Sequence, residues 1–387
     1  MTPTYLTPGV YPEEVFLAPE GALAAGVPAF LGFVAQDPLD AQSKPVRPQT
    51  LTLWAEFEQR FGKPLPDGYL GPAVRGFFDN GGQVCYVVTL STAPTADALG
   101  AGLEIVASLD AIDLVCAPDI ARLARLARLR GDPDPTAILQ QRVLEHCDAA
   151  GDRFALLDSG ADLGVDAVQA QRAELTGING ALYYPWVQIP DGPFAPPCGH
   201  VAGVYASTDR RVGTHKAPAN DALQGVVDLQ VNLSDAQQGL LNPEGINCLR
   251  AFPGRGIRVW GARTLSRDPA WRYVNVRRLF LTAGRWIARN LADSVLEPND
   301  QRLWARIGRA LSSYFSDLVR IGALKGATAQ EAFYVKCDAE TNPPEVRDLG
   351  QVVTEIGLAP ALPGEFIVVR IVHAAGGVTI TGPGLPG

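Results

Sequence analysis

The sequence predicts an α/β protein with extended ends, and three observations predict it. Between residues 91 and 250 short apolar runs alternate with helical repeats, as expected for helices layered on a mainly parallel sheet. Of 387 residues, 47% are hydrophobic and 19% charged, enough to build a core, so a wholly disordered chain is excluded. The first 20 residues (MTPTYLTPGVYPEEVFLAPE) hold four prolines, which forbid a helix there, and the last 14 (AAGGVTITGPGLPG) are glycine-rich.

Taken in order, residues 1–20 read as short extended pieces punctuated by Pro8-Gly9. Residues 27–36 (VPAFLGFVAQ) form an apolar strand-like run. Leu53, Trp54, Phe57 and Phe61 give helical spacing to 51–61, and 69–79 repeats the pattern. Gly81-Gly82 turns the chain into a buried strand at 83–90. Residues 112–117, 153–158 and 181–189 read as strands, and 120–130 and 136–150 as helices. In IARLARLARLR, the spacing of three between Leu123, Leu126 and Leu129 predicts a core-facing stripe. Residues 251–265 are a glycine-punctuated strand or loop. Two long helices follow, at 274–296 and 299–322, parted at Glu297-Pro298-Asn299, with Asn299 or Asp300 as N-cap of the second. Residues 331–338 and 346–356 read as short strands or loops. EFIVVRIVH at 365–373 is a strong β run, and Val378-Thr379-Ile380 is a last short strand.

Charge is unevenly spread. Residues 250–330 hold 15 basic against 5 acidic side chains, a net of +10, which leaves 18 and 36 elsewhere, a net of −18. Such a chain suits an acidic partner, copies of itself, or an internal match between its two parts. On the second long helix Leu303, Ile307, Leu311, Tyr314, Leu318 and Ile321 share one face, and Arg302, Arg306, Arg309 and Arg320 share the opposite one. Arg278, Arg285 and Arg289 make a similar line on the first.

Several chemistries lack their residues. There is no GxxxxGK[ST] phosphate loop, no HExxH, no CxxC and no GxSxG elbow, so no metal and no cofactor is expected. The six scattered cysteines fit reduced thiols. No apolar run of about 18 residues could cross a membrane. Pro3, Pro8, Pro12 and Glu13-Glu14 interrupt any leader pattern, so cytoplasmic assembly without export is expected. Residues 154–160 (FALLDSG) resemble the aspartate strand of subtilisin-like proteases, and Gly199-His200-Val201-Ala202-Gly203 resembles the end of their histidine motif. The position of the catalytic base is then Pro197, and no nucleophile segment follows.

Residues 7–14 (TPGVYPEE), 203–220 (GVYASTDRRVGTHKAPAN), 239–260 (GLLNPEGINCLRAFPGRGIRVW), 261–279 (GARTLSRDPAWRYVNVRRL), 297–304 (EPNDQRLW), 322–338 and the closing EFIVVRI resemble, in order, the contractile tail sheath proteins of phage tails, R-type pyocins and phage-tail-like injection systems. The resemblance covers both ends and the C-terminal half. It implies a conserved α/β sheath domain built from both chain ends, with an inserted α/β middle domain of subtilisin-like, non-catalytic fold and extended β arms. The expected division is an arm at 1–20, a first core part at 21–90, a middle domain at 91–250, a C-terminal sheath domain at 251–363 and a terminal strand or arm at 364–387.

It also implies a structural subunit, not an enzyme. Such subunits stack as six-membered rings around an inner tube and contract from a metastable extended state. The implied partners are further copies, the inner tube, and baseplate and terminal cap proteins, with no nucleic acid and no membrane insertion. The inter-subunit arm residues would be Tyr5, Leu6, Val10, Tyr11, Val15 and Phe16 at one end. At the other they would be Phe366, Val368, Ile371, Val378 and Ile380. Arg302, Arg306, Arg309 and Arg320 would meet the tube. Two alternatives stay open: a nucleic-acid binder using the basic region with Trp260, Trp271, Trp286 and Trp304, and a degenerate subtilisin-like protein.

Overall fold

A computed structural model describes residues 25–38, 47–90, 94–190, 192–326, 328–365, 370–374 and 377–381, the last two stretches as backbone alone. The strands are β1 (Pro28–Gly32), β2 (Gln49–Leu51), β3 (Cys85–Thr89), β4 (Leu114–Cys116), β5 (Phe154–Asp158), β6 (Gly180–Tyr184), β7 (Val187–Gln188), β8 (Phe194–Ala195), β9 (Asp228–Leu229), β10 (Ile246–Phe252), β11 (Gly256–Trp260), β12 (Phe333–Lys336), β13 (Glu355–Leu358), β14 (Arg370–Ala374) and β15 (Gly377–Thr381). The helices are α1 (Trp54–Phe61), α2 (Leu70–Asp79), α3 (Ala96–Ala107), α4 (Ile120–Arg130), α5 (Thr136–Ala150), α6 (Val165–Ala173), α7 (Cys198–Arg211), α8 (Asp235–Leu241), α9 (Val274–Asn290), α10 (Gln301–Arg320), α11 (Ala329–Ala332) and α12 (Pro344–Asp348).

Eight strands form one sheet in the order β11-β10-β6-β5-β4-β1-β3-β2. Its six inner strands run parallel, and β2 and β11 pair antiparallel at the two edges. Parallel strands are buried on both faces, which is why they read as continuous apolar runs. Side chains alternate across β1: Ala29 and Leu31 join one core with Leu99 and Leu103 of α3 and Leu139 and Val143 of α5. Phe30 joins another with Phe77 of α2 and Tyr205 of α7. A third core lies beyond the sheet, where Leu279 and Ala283 of α9 meet Leu303, Ile307, Leu311 and Phe315 of α10. Helix α9 therefore packs on both sides, since its Val274 and Leu281 belong to the sheet's core.

The divisions expected at 90/91 and 250/251 fall inside this sheet. Strand β1 is hydrogen-bonded to β3 on one side and β4 on the other, and β10 joins β6 to β11. Other differences have local causes. Of residues 251–265, those up to Trp260 belong to the β10–β11 hairpin, with Gly254 in its turn at φ +70° and Gly256 opening β11 at φ +72°. The strand expected at 181–189 is split at Pro185, which has no amide hydrogen to donate. Leu123 is buried but Leu129 is 73% exposed, because a spacing of three slips 60° per step around a helix. On α10, Phe315 and Trp304 are buried while Ile321 is 47% exposed beyond the helix end. Asp300 is the N-cap, accepting from the amides of Arg302 (2.8 Å) and Leu303 (3.1 Å). The first long helix ends at Asn290 instead of 296.

Strands β14 and β15 pair with each other, Ile371 opposite Ile380 and His373 opposite Val378. Among the described residues no other strand pairs with them. Tyr5, Leu6, Val10, Tyr11, Val15, Phe16, Phe366 and Val368 lie outside the described residues.

Candidate functional site

The protease-like residues are folded into the interior. Asp158 ends β5, and its carboxylate accepts from the Cys198 amide at 2.7 Å, at the first residue of α7. An acid placed there complements the positive end of the helix. Burial raises its pKa to about 7 against the opposing pull of Cys198. Pro197 occupies the N-cap position and carries no base. His200 is 2% exposed, and burial lowers its pKa to about 4, so the ring is neutral. The two glycines of the supposed histidine motif serve a helix crossing. A Cβ at Gly199 would lie 2.1 Å from the Ala73 carbonyl oxygen, and one at Gly203 2.5 Å from that of Phe77. Only glycines let α7 approach α2 this closely. As placed, Asp158 ties α7 to the sheet. Among the described residues no group of three or more His, Cys, Asp or Glu side chains could hold a metal ion.

The basic region divides in two. Arg302, Arg306, Arg309 and Arg320 are all exposed along one side of α10, as expected from their spacing. Arg306 approaches Glu297 at 3.8 Å and Arg320 approaches Asp317 at 3.2 Å. Exposed pairs of this kind contribute about 0–1 kcal/mol. The line Arg278, Arg285, Arg289 does not form a second face. Arg278 is 2% exposed and Arg285 8%, because α9 lies between two cores. Arg278 forks onto Asp209 at 2.8 and 2.5 Å and donates to Asp113 at 2.9 Å, while its guanidinium covers the Tyr205 ring at 4.8 Å. Burial opposes its charge, and the two carboxylates override that and raise its pKa.

Trp304 is buried, and Trp260, Trp271 and Trp286 are half-buried with aromatic neighbours against their rings. Trp286 stacks on Tyr314 at 4.0 Å, Trp260 lies against Phe252 at 4.6 Å and Trp271 against Phe280 at 5.0 Å. Trp304 is buried and donates to Asn299 at 2.8 Å. They offer no row of open faces for bases, so the nucleic-acid alternative loses its stacking platforms.

Two carboxylates that sequence reasoning missed tie down Gly26-Val27, near the first described residues, and the segment that reaches Glu365. At one end the amides of Gly26 and Val27 donate to Asp113 at 3.0 and 2.7 Å. Gly26 has φ +73°, and a Cβ there would lie 2.4 Å from Cα of Ala206, so glycine is required. At the other end, Glu365 accepts from Nε and a terminal nitrogen of Arg263 (2.9 and 2.7 Å), from Asn242 (2.7 Å) and from the Tyr273 hydroxyl (3.1 Å). Burial pushes the Glu365 carboxyl up, but the hydrogen bonds of Arg263 and Asn242 and the Arg263 charge outweigh it and hold it below its ordinary value. The signal was present: Asn242, Arg263, Tyr273 and Glu365 all lie in the segments GLLNPEGIN, GARTL, WRYVNVRRL and EFIVVRI that carry the resemblance. Their convergence spans more than 120 residues of chain and only the fold reveals it.

Residues 133–265 match the phage tail sheath protein central domain family and residues 266–373 the phage tail sheath C-terminal domain family. The chain is similar to a subunit of the anti-feeding prophage helical sheath in its contracted state: 32% identity, TM-score 0.74, covering 96% of this chain and all (100%) of that one. It is also similar to a chain of the contracted sheath complex of PVC, an extracellular contractile injection system, with 30% identity, TM-score 0.74, and 97% and 99% of the two chains covered. The tail sheath protein of Vibrio phage KVP40 is 28% identical over 183 residues, which is 46% of this chain but only 26% of that protein's length.

Proposed function

From the premise that this chain belongs to the phage tail sheath family, we propose that it is the structural subunit of a contractile sheath in a phage-tail-like particle. Copies would stack as six-membered rings around an inner tube, between a baseplate and a terminal cap, after assembly in the cytoplasm. Contraction from a metastable extended state would drive the tube through a target envelope. The middle α/β layers are, in this reading, a non-catalytic relative of the subtilisin-like fold, and the protein is not an enzyme. The energy is stored at assembly, so no nucleotide is consumed. The observation that carries the reading is the end-to-end correspondence with sheath subunits, which leaves no large part of the chain for another task.

The arms belong to this proposal. A strand offered to a neighbour's sheet edge gains main-chain hydrogen bonds whatever its side chains, and head-to-tail exchange of that kind propagates into helical arrays. The β14–β15 hairpin, unpaired with the larger sheets among the described residues, supports the C-terminal arm. The exposed arginines of α10 are the tube-facing surface, because weak ion pairs repeated over hundreds of subunits set a register and still release.

Negative-stain electron microscopy of the purified protein tests the reading. Striated hollow cylinders are expected, and particles co-produced with the tube should shorten on acid, urea or heat without ATP. Dispersed monomers under all conditions, or shortening only with ATP, would refute it. Deleting residues 1–17 should leave a folded subunit that forms no long cylinders. Normal cylinders from that variant would rule out the N-terminal arm.

A further inference from the structure

Gly26-Val27, here the N-terminal root, and the segment up to Glu365, here the C-terminal root, are anchored to the same helix. Tyr273 precedes the first turn of α9 and donates to Glu365 at the C-terminal root. Asn275, in that turn, donates to the carbonyl oxygens of Ala361 (3.2 Å) and His215 (2.8 Å). Arg278, one turn on, donates to Asp113, whose oxygens hold Gly26 and Val27 at the N-terminal root. From Tyr273 to Arg278 is five residues, about 7.5 Å of helix at 1.5 Å per residue. Each anchor is a carboxylate bonded to an arginine that is itself buried, Arg263 at 9% exposure and Arg278 at 2%. Charge-assisted hydrogen bonds to a forked guanidinium fix direction as well as distance.

We infer that the start of α9 is a strut that couples the N-terminal root of the chain to its C-terminal root, with Arg278 and Asp113 positioning one end and Tyr273, Arg263 and Glu365 the other. A pull on either end of the chain is delivered to a rigid helical turn held between two cores and passed to the opposite end. The consequence for a sheath rests on the proposed function. In an array joined by both ends of each subunit, the strut relays strain from one neighbour to the next, so contraction travels as a wave. Coupling of this kind must be reciprocal, because it is a free energy shared by two sites. It also needs a contiguous physical network, which the hydrogen bonds of Glu365, Tyr273, Asn275, Arg278 and Asp113 along α9 supply.

Amide hydrogen exchange on the full-length unassembled chain tests the coupling without reference to assembly. In Glu365→Ala, exchange at Gly26 and Val27 should quicken about fivefold or more. Exchange in α1, which packs on α2 and β2 away from both roots, should stay at the wild-type rate. Asp113→Asn should quicken exchange across 361–365 reciprocally. Glu365→Asp, which keeps the charge, should recover part of the protection in the first case. Faster exchange confined to 361–365 in Glu365→Ala, or raised equally through α1, would overturn the strut. Deletion of residues 366–387 tests the arm separately by microscopy. Normal assembly of that variant would refute the arm and leave the exchange result standing. Blocked assembly, with Glu365→Ala contracting at the wild-type rate, would refute the relay and keep the arm.

Discussion

Helices α9 and α10 have similar amino-acid makeup and opposite fates. Both are long, amphipathic and rich in arginine, at positions 277, 278, 285 and 289 on one and 302, 306, 309 and 320 on the other. Arg278 and Arg285 are buried, while all four arginines of α10 are exposed. The difference is in the neighbours. Helix α10 has one packed face, formed by Leu303, Trp304, Ile307, Leu311, Phe315 and Leu318, and its far side is exposed among the described residues. Helix α9 is sandwiched, with Val274 and Leu281 in the sheet's core and Leu279 and Ala283 in the C-terminal one. An arginine between two cores needs acceptors for its guanidinium: Arg278 has the carboxylates of Asp113 and Asp209, and Arg285 donates to the carbonyl oxygens of Asp110 and Ala111. Arginine on a helix thus means an internal tie where both sides are covered and an exposed charged face where one is open.

The largest expected effect would sharpen this contrast. Arg278→Ala leaves Asp113 and Asp209 buried without their counter-charge and should cost about 3–5 kcal/mol in urea unfolding. A loss no greater than that of Arg309→Ala would break the distinction between the two helices. Next comes an acid buried without an arginine. Asp158 has a pKa raised by burial from 3.8 to about 7, so the folded state binds a proton that the unfolded carboxylate has released. Stability from this group is complete below the ordinary value and is lost as pH rises through about 7. The carboxamide of Asp158→Asn needs no proton and can still accept from the Cys198 amide. Its gain over wild type should be near zero at pH 4 and reach roughly 1–4 kcal/mol at pH 8, read from thermal melts. A gain that shrinks as pH rises would contradict the burial argument. The smallest stability effects belong to α10. Arg302→Glu, Arg306→Glu and Arg309→Glu should each shift unfolding by within about 0.5 kcal/mol, since exposed substitutions remove no packing.

The elements of the sheet were legible because parallel strands announce themselves. FALLD and CYVVT are apolar up to their last residues, Asp158 and Thr89, and the α10 stripe keeps a regular period. Helix α7 was not legible, because CGHVAGVYASTDRR is buried nearly all round and has little amphipathic contrast. Its glycines read as a catalytic motif, yet their role is a backbone contact with α2 that no local pattern encodes. The exposed arginines were found because period alone separates two faces of one helix. Arg278 was misplaced for the same reason: period says which residues share a face but not what lies against it. The Glu365 anchor joins positions 242, 263, 273 and 365, so its members were visible one by one and their convergence was not.

Helix α9 ties the sheet's core to the C-terminal core, and α10 is proposed to meet the tube. The most direct measurement is electron microscopy of the triple variant Arg302→Glu, Arg306→Glu, Arg309→Glu, co-produced with its tube protein. The expected result is a normally folded subunit that builds only empty, contracted-like cylinders, because acidic side chains now face the surface that the arginines held. Extended, tube-filled particles at wild-type yield would show that this face of α10 points to solvent and would contradict the account.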